Sequence, residues 1–235
     1  MGYLEQAIER LKQFEGSVPW MYLDTVGKVT VGVGSMLPDA RAAGSLPFLM
    51  VDRAATAEEI AKEFERVSAM AKGRAATFYR RSGGLILAEK AIDERLSEVL
   101  EGFEGYLRTH LGGYDGLPDG AKLALLDMVY NLGPGRFFQE YPKLLAAVAK
   151  GDWAKAAGAC LRRGPGAARN VWTKEQFLAA AKRISVQAEA AMEESSSSSE
   201  SFWGWVPVLL GTGAALLAIL AVSARAVPSR SRAQP

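Results

Sequence analysis

The stretch FEGSVPWMYLDTVGKVTVGVG, residues 14–34, decides the fold because it takes the chain from a helix into a strand. Before it, apolar residues recur at the spacing of one helix face, and Gly16 is placed to end that helix. These apolar residues are Leu4, Ala7, Ile8, Leu11 and Phe14. In its second half, valines at 29, 31 and 33 alternate with small residues, which is the period of a half-buried strand. Val26-Gly27 predicts a hairpin turn before that strand.

Helical patterns dominate the chain beyond this strand. Thr56 followed by Glu59 is the signature of a capping box at a helix N-terminus. Further helices are predicted over residues 85–111, 121–132, 141–149, 153–161 and 174–192. Residues 36–55 and 72–84 match no regular pattern. The expected fold class is α+β, with a small N-terminal β-hairpin or sheet and a mainly helical body.

Composition narrows the classes of function. The 235 residues can bury one good-sized core, and 28 Lys+Arg against 26 Asp+Glu give no general attraction for nucleic acid. Cys160 is the sole cysteine, which excludes an internal disulfide, and His110 is the sole histidine. A Cys/His zinc cluster and a Ser-His-Asp triad are therefore both disfavoured. We expect no metal, no cofactor and no nucleic-acid partner.

The composition changes abruptly after residue 190. Residues 191–201 are rich in serine and glutamate and predict a flexible linker after a domain at 1–190. Residues 202–224 carry no formal charge and are long enough to cross a bilayer as one helix, followed by a basic tail at 225–235. Gly211 and Ala215 offer a small-residue face through which such helices self-associate.

The charges that flank this segment predict its orientation. Arg225, Arg230 and Arg232 follow it, whereas residues 187–201 contain no lysine or arginine. The positive-inside rule places the C-terminus in the cytoplasm and the N-terminal domain outside, as in a single-pass membrane protein. Residues 1–6 do not have the pattern of a signal peptide, so the route by which the domain crosses the membrane stays open.

Three polar residues of the opening stretch form a candidate catalytic set. Glu15 ends the first helix among apolar neighbours, and both the helix dipole and burial favour its protonated form. Asp24 lies beside the predicted turn, where solvent keeps a carboxylate ionised. Two carboxylates in contrasting environments are what glycoside hydrolysis requires, and the hydroxyl of Thr30 could orient a water. Spacing alone leaves the alternative that both acids are ordinary surface groups.

These residues resemble the phage-type lysozymes, glycoside hydrolase family 24. The match is the pattern Glu15, eight residues, Asp24, five residues, Thr30, followed by Gly32-Val33-Gly34. A second block, residues 124–133, is similar to the helix under that family's substrate cleft. A third, residues 160–165 with Arg169-Asn170 and Phe177, is similar to its C-terminal block.

The resemblance implies a lysozyme-like fold and inverting hydrolysis of the β-1,4 bond between N-acetylmuramic acid and N-acetylglucosamine in bacterial peptidoglycan. Glu15 would be the acid, Asp24 would activate a water and Thr30 would position it. Gly34, Met36, Tyr130 and Arg169 would bind substrate or support the site. Ser35 stands where many members carry a histidine, so one supporting salt bridge is expected to be absent.

Several alternatives stay open. The protein could be an inactive peptidoglycan-binding virion component, or a holin-like protein whose C-terminal span is the effector. An active enzyme could serve host lysis, virion entry or an antibacterial role, with its domain on the periplasmic or cell-wall side. The basic pairs Arg80-Arg81 and Arg162-Arg163 are expected to be solvated, with contact to peptidoglycan carboxylates or anionic lipid headgroups as the alternative.

Overall fold

The structure is a computed structural model that describes residues 2–182 and residue 186. The predicted linker, membrane span and basic tail, residues 191–235, lie outside these residues. Among the described residues, no helix has both the length and the apolar character needed to span a membrane.

The N-terminal helix and the first sheet follow the expected pattern. Helix α1 covers Tyr3–Glu15 and ends at Gly16, whose backbone N–H donates to the carbonyl of Lys12 at 3.0 Å. Strands β1 (Val18–Leu23), β2 (Val29–Gly32) and β3 (Ser35–Met36) then form an antiparallel sheet in that order. Thr30 pairs with Tyr22 on one side and with Met36 on the other.

A second sheet occupies a region where the sequence predicted no regular structure. Helix α2 (Ala40–Gly44) leads to strands β4 (Phe48–Met50) and β5 (Arg53–Ala54), which pair antiparallel with a distant β6 (Leu85–Leu87) in the order β5, β4, β6. The prediction of helix from residue 85 was therefore wrong. Leu85 and Leu87 are buried while Ile86 is exposed, and this alternation is that of a strand.

The helical body begins with α3 (Ala57–Ser68), where Thr56 and Glu59 form the predicted capping box. The helices that follow are α4 (Glu89–His110), α5 (Asp119–Leu132), α6 (Pro134–Glu140), α7 (Pro142–Ala149), α8 (Trp153–Ala159) and α9 (167–182). Short 3₁₀ turns lie at Ala76–Phe78 and Tyr114–Gly116. Helix α5 is buried over most of its length and forms the centre of the body.

The fold confirms the α+β class, with small sheets beside a mainly helical body. One further helix and two helix boundaries differ from the prediction. Helix α6 was not expected, α8 stops before the exposed Leu161, and α9 starts at residue 167 rather than 174. In α6, Pro134 at the first helical position starts a new helix directly after α5.

Candidate active site

Glu15 lies at the C-terminal end of α1 with its side chain one-third exposed. Nη1 of Arg169, from the start of α9, donates to Oε1 of Glu15 at 2.5 Å. The guanidinium also lies over the ring of Phe14, 5.2 Å from its centroid. The carboxylate at the helix end is thus held by a cation from the opposite end of the described chain.

Asp24 lies in the tight turn between β1 and β2. Its Oδ1 accepts from the backbone N–H groups of Val26 at 3.0 Å and Lys28 at 2.7 Å. Its own N–H donates to the carbonyl of Lys28 at 2.9 Å. Both side-chain bonds use Oδ1, so Oδ2 can accept a hydrogen bond from water while the carboxylate stays fixed.

The phenol of Tyr22 is influenced by the charges of both carboxylates. Burial, and then the negative charges of Asp24 and Glu15, raise the pKa of the Tyr22 phenol. Both acids therefore lie close enough to act on the same hydroxyl. The sequence analysis did not single out Tyr22, although its alternation with the buried Met21 and Leu23 could have placed it on the open face of β1.

Thr30 is buried, with 2% of its surface exposed, in the middle strand of the first sheet. Its hydroxyl donates to the carbonyl of Lys28 at 3.1 Å, which leaves the oxygen lone pairs to accept from another donor. Lys28 also donates to Asp24, so Thr30 and Asp24 are fixed by the same residue.

Tyr130, on α5, joins the helical body to the first sheet. Its hydroxyl donates to the carbonyl of Val33 at 2.5 Å, so this proton is already used within the protein. Burial, and then the charge of Glu15, raise the pKa of Tyr130 to about 12. Gly34 lies beside this hydroxyl, since a Cβ at that position would be 3.9 Å from it. Met36, which was also predicted to bind substrate, is half exposed.

A buried ionic network stands behind Glu15. Oδ1 of Asp127 accepts from Nε of Arg169 at 2.7 Å, and its Oδ2 accepts from Nη2 of Arg162 at 2.5 Å. The hydroxyl of Thr173 lies 2.7 Å from the same Oδ2. Asp127, Arg162, Arg169 and Thr173 are each less than 7% exposed. Arg162 is therefore not solvated, which corrects the expectation for that half of its basic pair.

The charges of this buried network balance only when Glu15 is included. Asp127 faces two arginines, and Glu15 supplies the second carboxylate, so two cations balance two anions. Because all but Glu15 are buried, removing one partner leaves an uncompensated charge in the core. Asp127 was not among the site residues predicted from the sequence. Its position as the one acid within the apolar run Ala124–Val129 could have indicated a buried, paired carboxylate.

No group of three or more His, Cys, Asp or Glu suited to a metal ion occurs in the part of the chain that the structure describes. The candidate site itself presents carboxylates, a phenol, a hydroxyl and guanidinium groups.

A helix ending in a carboxylate, a small sheet carrying a second carboxylate and a helical body behind them are the arrangement expected of a lysozyme-type glycoside hydrolase. The family model for phage lysozyme matches residues 12–165, and the chain belongs to that family of peptidoglycan hydrolases. A search of curated proteins gave no match. Among solved structures, a crystal structure of a P22 lysozyme mutant is similar, at 19% identity and a TM-score of 0.48. The match covers 76% of this chain and 99% of that one.

Proposed function

We propose that the protein is an N-acetylmuramidase that hydrolyses the β-1,4 bond between N-acetylmuramic acid and N-acetylglucosamine in peptidoglycan. Family membership supports the class of reaction. The observation that supports the residue assignment is the contrast between two carboxylates: Glu15 is bound by a buried arginine, and Asp24 by backbone N–H groups in a turn.

In the proposed reaction, Glu15 donates its proton to the glycosidic oxygen as the bond from that oxygen to the anomeric carbon breaks. Asp24 takes a proton from a water, whose oxygen attacks the anomeric carbon from the opposite face with inversion. Oδ2 of Asp24 is the available base, and the Thr30 oxygen accepts a hydrogen bond from the O–H that the water keeps. Proton exchange with solvent then restores the acid and the base.

Arg169 acts on one stage of this cycle. Asp127 binds the other side of its guanidinium and so fixes the position of the positive charge. Once the proton has left, Arg169 stabilises the Glu15 carboxylate through the 2.5 Å contact.

Substrate contact is proposed for the residues around the first sheet. Gly34 lets a sugar approach the backbone, and the exposed side chain of Met36 lies beside Thr30 in register. Tyr130 supports this surface by its bond to Val33 rather than by donating its hydroxyl proton to a sugar.

The C-terminal segment is proposed to tether the enzyme. The uncharged residues 202–224 and the arginines after them support a single bilayer span with a cytoplasmic C-terminus and the enzyme on the cell-wall side. Self-association of this span through Gly211 and Ala215 is part of the same proposal.

The identity of the new reducing end tests the proposed reaction. Full-length protein is incubated with purified peptidoglycan, the products are reduced with borohydride, and the sugar alcohols are identified by mass spectrometry. Reduced N-acetylmuramic acid is the expected product. Reduced N-acetylglucosamine, or no new reducing end, would contradict the proposal.

A further inference from the structure

A groove of about 580 Å³ lies between β1 and the segment that leads into β6, and the proposed reaction leaves it without a role. Trp20, Glu63, Arg80 and Arg81 line it, together with the exposed Val51. Arg80 and Arg81 form the basic pair that the sequence singles out.

Trp20 forms a fixed aromatic wall of this groove. Its indole Nε1 donates to the carbonyl of Ala76 at 2.8 Å, which sets the orientation of the ring. The guanidinium of Arg80 lies over the indole, 4.8 Å from the ring centroid. A cation stacked on a fixed ring loses little freedom when it binds an anion.

Arg81 is also held in place. Gly84 makes room for it, because a Cβ at that position would lie 2.8 Å from Cγ of Arg81. Nε of Arg81 lies 3.6 Å from Oε2 of the buried Glu63. Arg66 binds that same carboxylate at 2.7 and 2.9 Å, so the charge of Glu63 is already balanced. Arg80 and Arg81 therefore give the groove a net positive charge.

The groove continues the candidate active site. Met21 and Leu23 are buried, whereas Trp20 and Tyr22 are partly exposed and lie two residues apart on β1. Two residues along a strand span about 7 Å, less than the length of a disaccharide. A glycan strand bound at Tyr22 would thus reach Trp20.

One residue that lines the same groove, Val51, has a strained backbone conformation. Val51 has φ 55°, in the left-handed region that β-branched residues rarely adopt, and its side chain is 65% exposed. Core burial of this side chain does not offset the strain. Strained residues concentrate at binding and catalytic sites.

We infer that this groove binds a carboxylate of the peptide stem on the peptidoglycan strand, with Arg80 and Arg81 as its cationic partners and Trp20 as its apolar wall. The inference rests on the proposed function. The N-acetylated sugars of a peptide-bearing strand are uncharged, so the anionic groups next to a bound glycan are those of the peptides. Guanidinium groups bind carboxylates through charge-assisted hydrogen bonds.

The first experiment compares two substrates with full-length protein. One is intact peptidoglycan, and the other is the same material after a carbodiimide and ammonia have converted the peptide carboxylates to uncharged amides. The variant carries Arg80→Gln and Arg81→Gln. The control is Arg74→Gln, since Arg74 also lies over an aromatic ring, that of Phe78 at 5.5 Å, but does not line the groove.

The double variant should lose about tenfold in kcat/KM on intact peptidoglycan and less than twofold on the amidated material. The control should match the wild type on both. An equal loss of the double variant on both substrates, or no loss on the intact one, would overturn the inference.

Binding separates this inference from the proposed function. Calorimetric titration with the tetrapeptide L-Ala-D-Glu-L-Lys-D-Ala should show binding by wild type and Arg74→Gln, and about tenfold weaker binding by the double variant. Hydrolysis of both substrates without peptide binding would overturn the groove assignment alone. Peptide binding without hydrolysis of either substrate would support the groove and overturn the muramidase.

Discussion

Arg169 and Asp127 form a buried ion pair, with Nε 2.7 Å from Oδ1, while a second nitrogen of the same guanidinium binds Glu15. The candidate acid is therefore linked through one side chain to a carboxylate in the centre of the protein. Arg162 neutralises the far side of Asp127. The position of the Glu15 side chain and the stability of the core thus depend on the same network.

Substitution of Asp127 by Asn should lower both activity and stability. Without the carboxylate at its Nε, Arg169 holds the Glu15 side chain less firmly, so kcat should fall about tenfold. The unbalanced arginines should also reduce the free energy of unfolding by about 3–5 kcal/mol. Steady-state kinetics on peptidoglycan and urea denaturation measure the two effects.

The control for this variant is Asp115→Asn, because Asp115 pairs with Arg108 at the surface with 73% of its side chain exposed. We expect an unchanged kcat and little change in stability. Wild-type kcat in the Asp127 variant would show that Asp127 does not act on Glu15.

Substitution of Thr30 by Val keeps the shape of the side chain and removes the hydroxyl. We expect kcat to fall about 10- to 100-fold, since a misplaced water reacts slowly. Loss of the bond to Lys28 should cost only about 0.5–1.5 kcal/mol of stability. Steady-state kinetics on peptidoglycan check the first effect and thermal unfolding the second.

Thr109→Val provides a matched comparison, because the Thr109 hydroxyl also donates to a backbone carbonyl, that of Gly105 at 2.9 Å, but on an exposed helix surface. Its activity should equal that of wild type. Full activity of the Thr30 variant would remove Thr30 from the mechanism.

Tyr130 should contribute to stability in a defined alkaline range. Its pKa is raised from 10.0 to about 12, so the folded state holds the phenol proton more tightly than the unfolded state. This contribution is fully present below pH 10 and is lost as the pH rises through 12. Tyr130→Phe should therefore lose less stability than wild type between pH 10 and 12, as measured by urea denaturation. Parallel curves for the two proteins would contradict this.

Substitution of Val51 by Gly should raise stability. Glycine adopts the positive φ at this hairpin turn without steric cost, so relief of the strain should add about 1 kcal/mol to the free energy of unfolding. Asp52→Gly, at the adjacent turn position, should not stabilise. Thermal unfolding of the three proteins decides, and a destabilised Val51 variant would show that the valine is not strained.

Local sequence patterns predicted the part of the fold that carries Glu15 and Thr30. The helix over Tyr3–Glu15 and the strand over Val29–Gly32 have unambiguous periods, and glycine marks the end of the helix. Strands of two or three residues, such as Arg53–Ala54, are too short to show a period. The sequence pattern assigns Leu85–Leu87 to the helix that follows it, because the pairing of this strand with Phe48–Met50 is not local.

The part of the candidate site that lies in one short stretch was predictable, and the part built from distant residues was not. Glu15, Asp24 and Thr30 lie within one short stretch and stand out by residue type. The contacts of Asp127 with Arg162 and Arg169 join residues 35 and 42 positions apart, so no local pattern indicates them. Tyr22 was overlooked because an aromatic residue on a strand is usually explained by packing.

The most direct test of the account is the activity of Glu15→Gln beside that of Glu9→Gln, both in the full-length protein. Glu9 is exposed on the same helix, so the two variants differ in position rather than in chemistry. With folding checked by circular dichroism, Glu15→Gln should lower kcat on peptidoglycan by about 10²- to 10⁴-fold, and Glu9→Gln should leave it within twofold of wild type. Equal activity of the Glu15 variant and wild type would contradict the assignment of Glu15 as the acid.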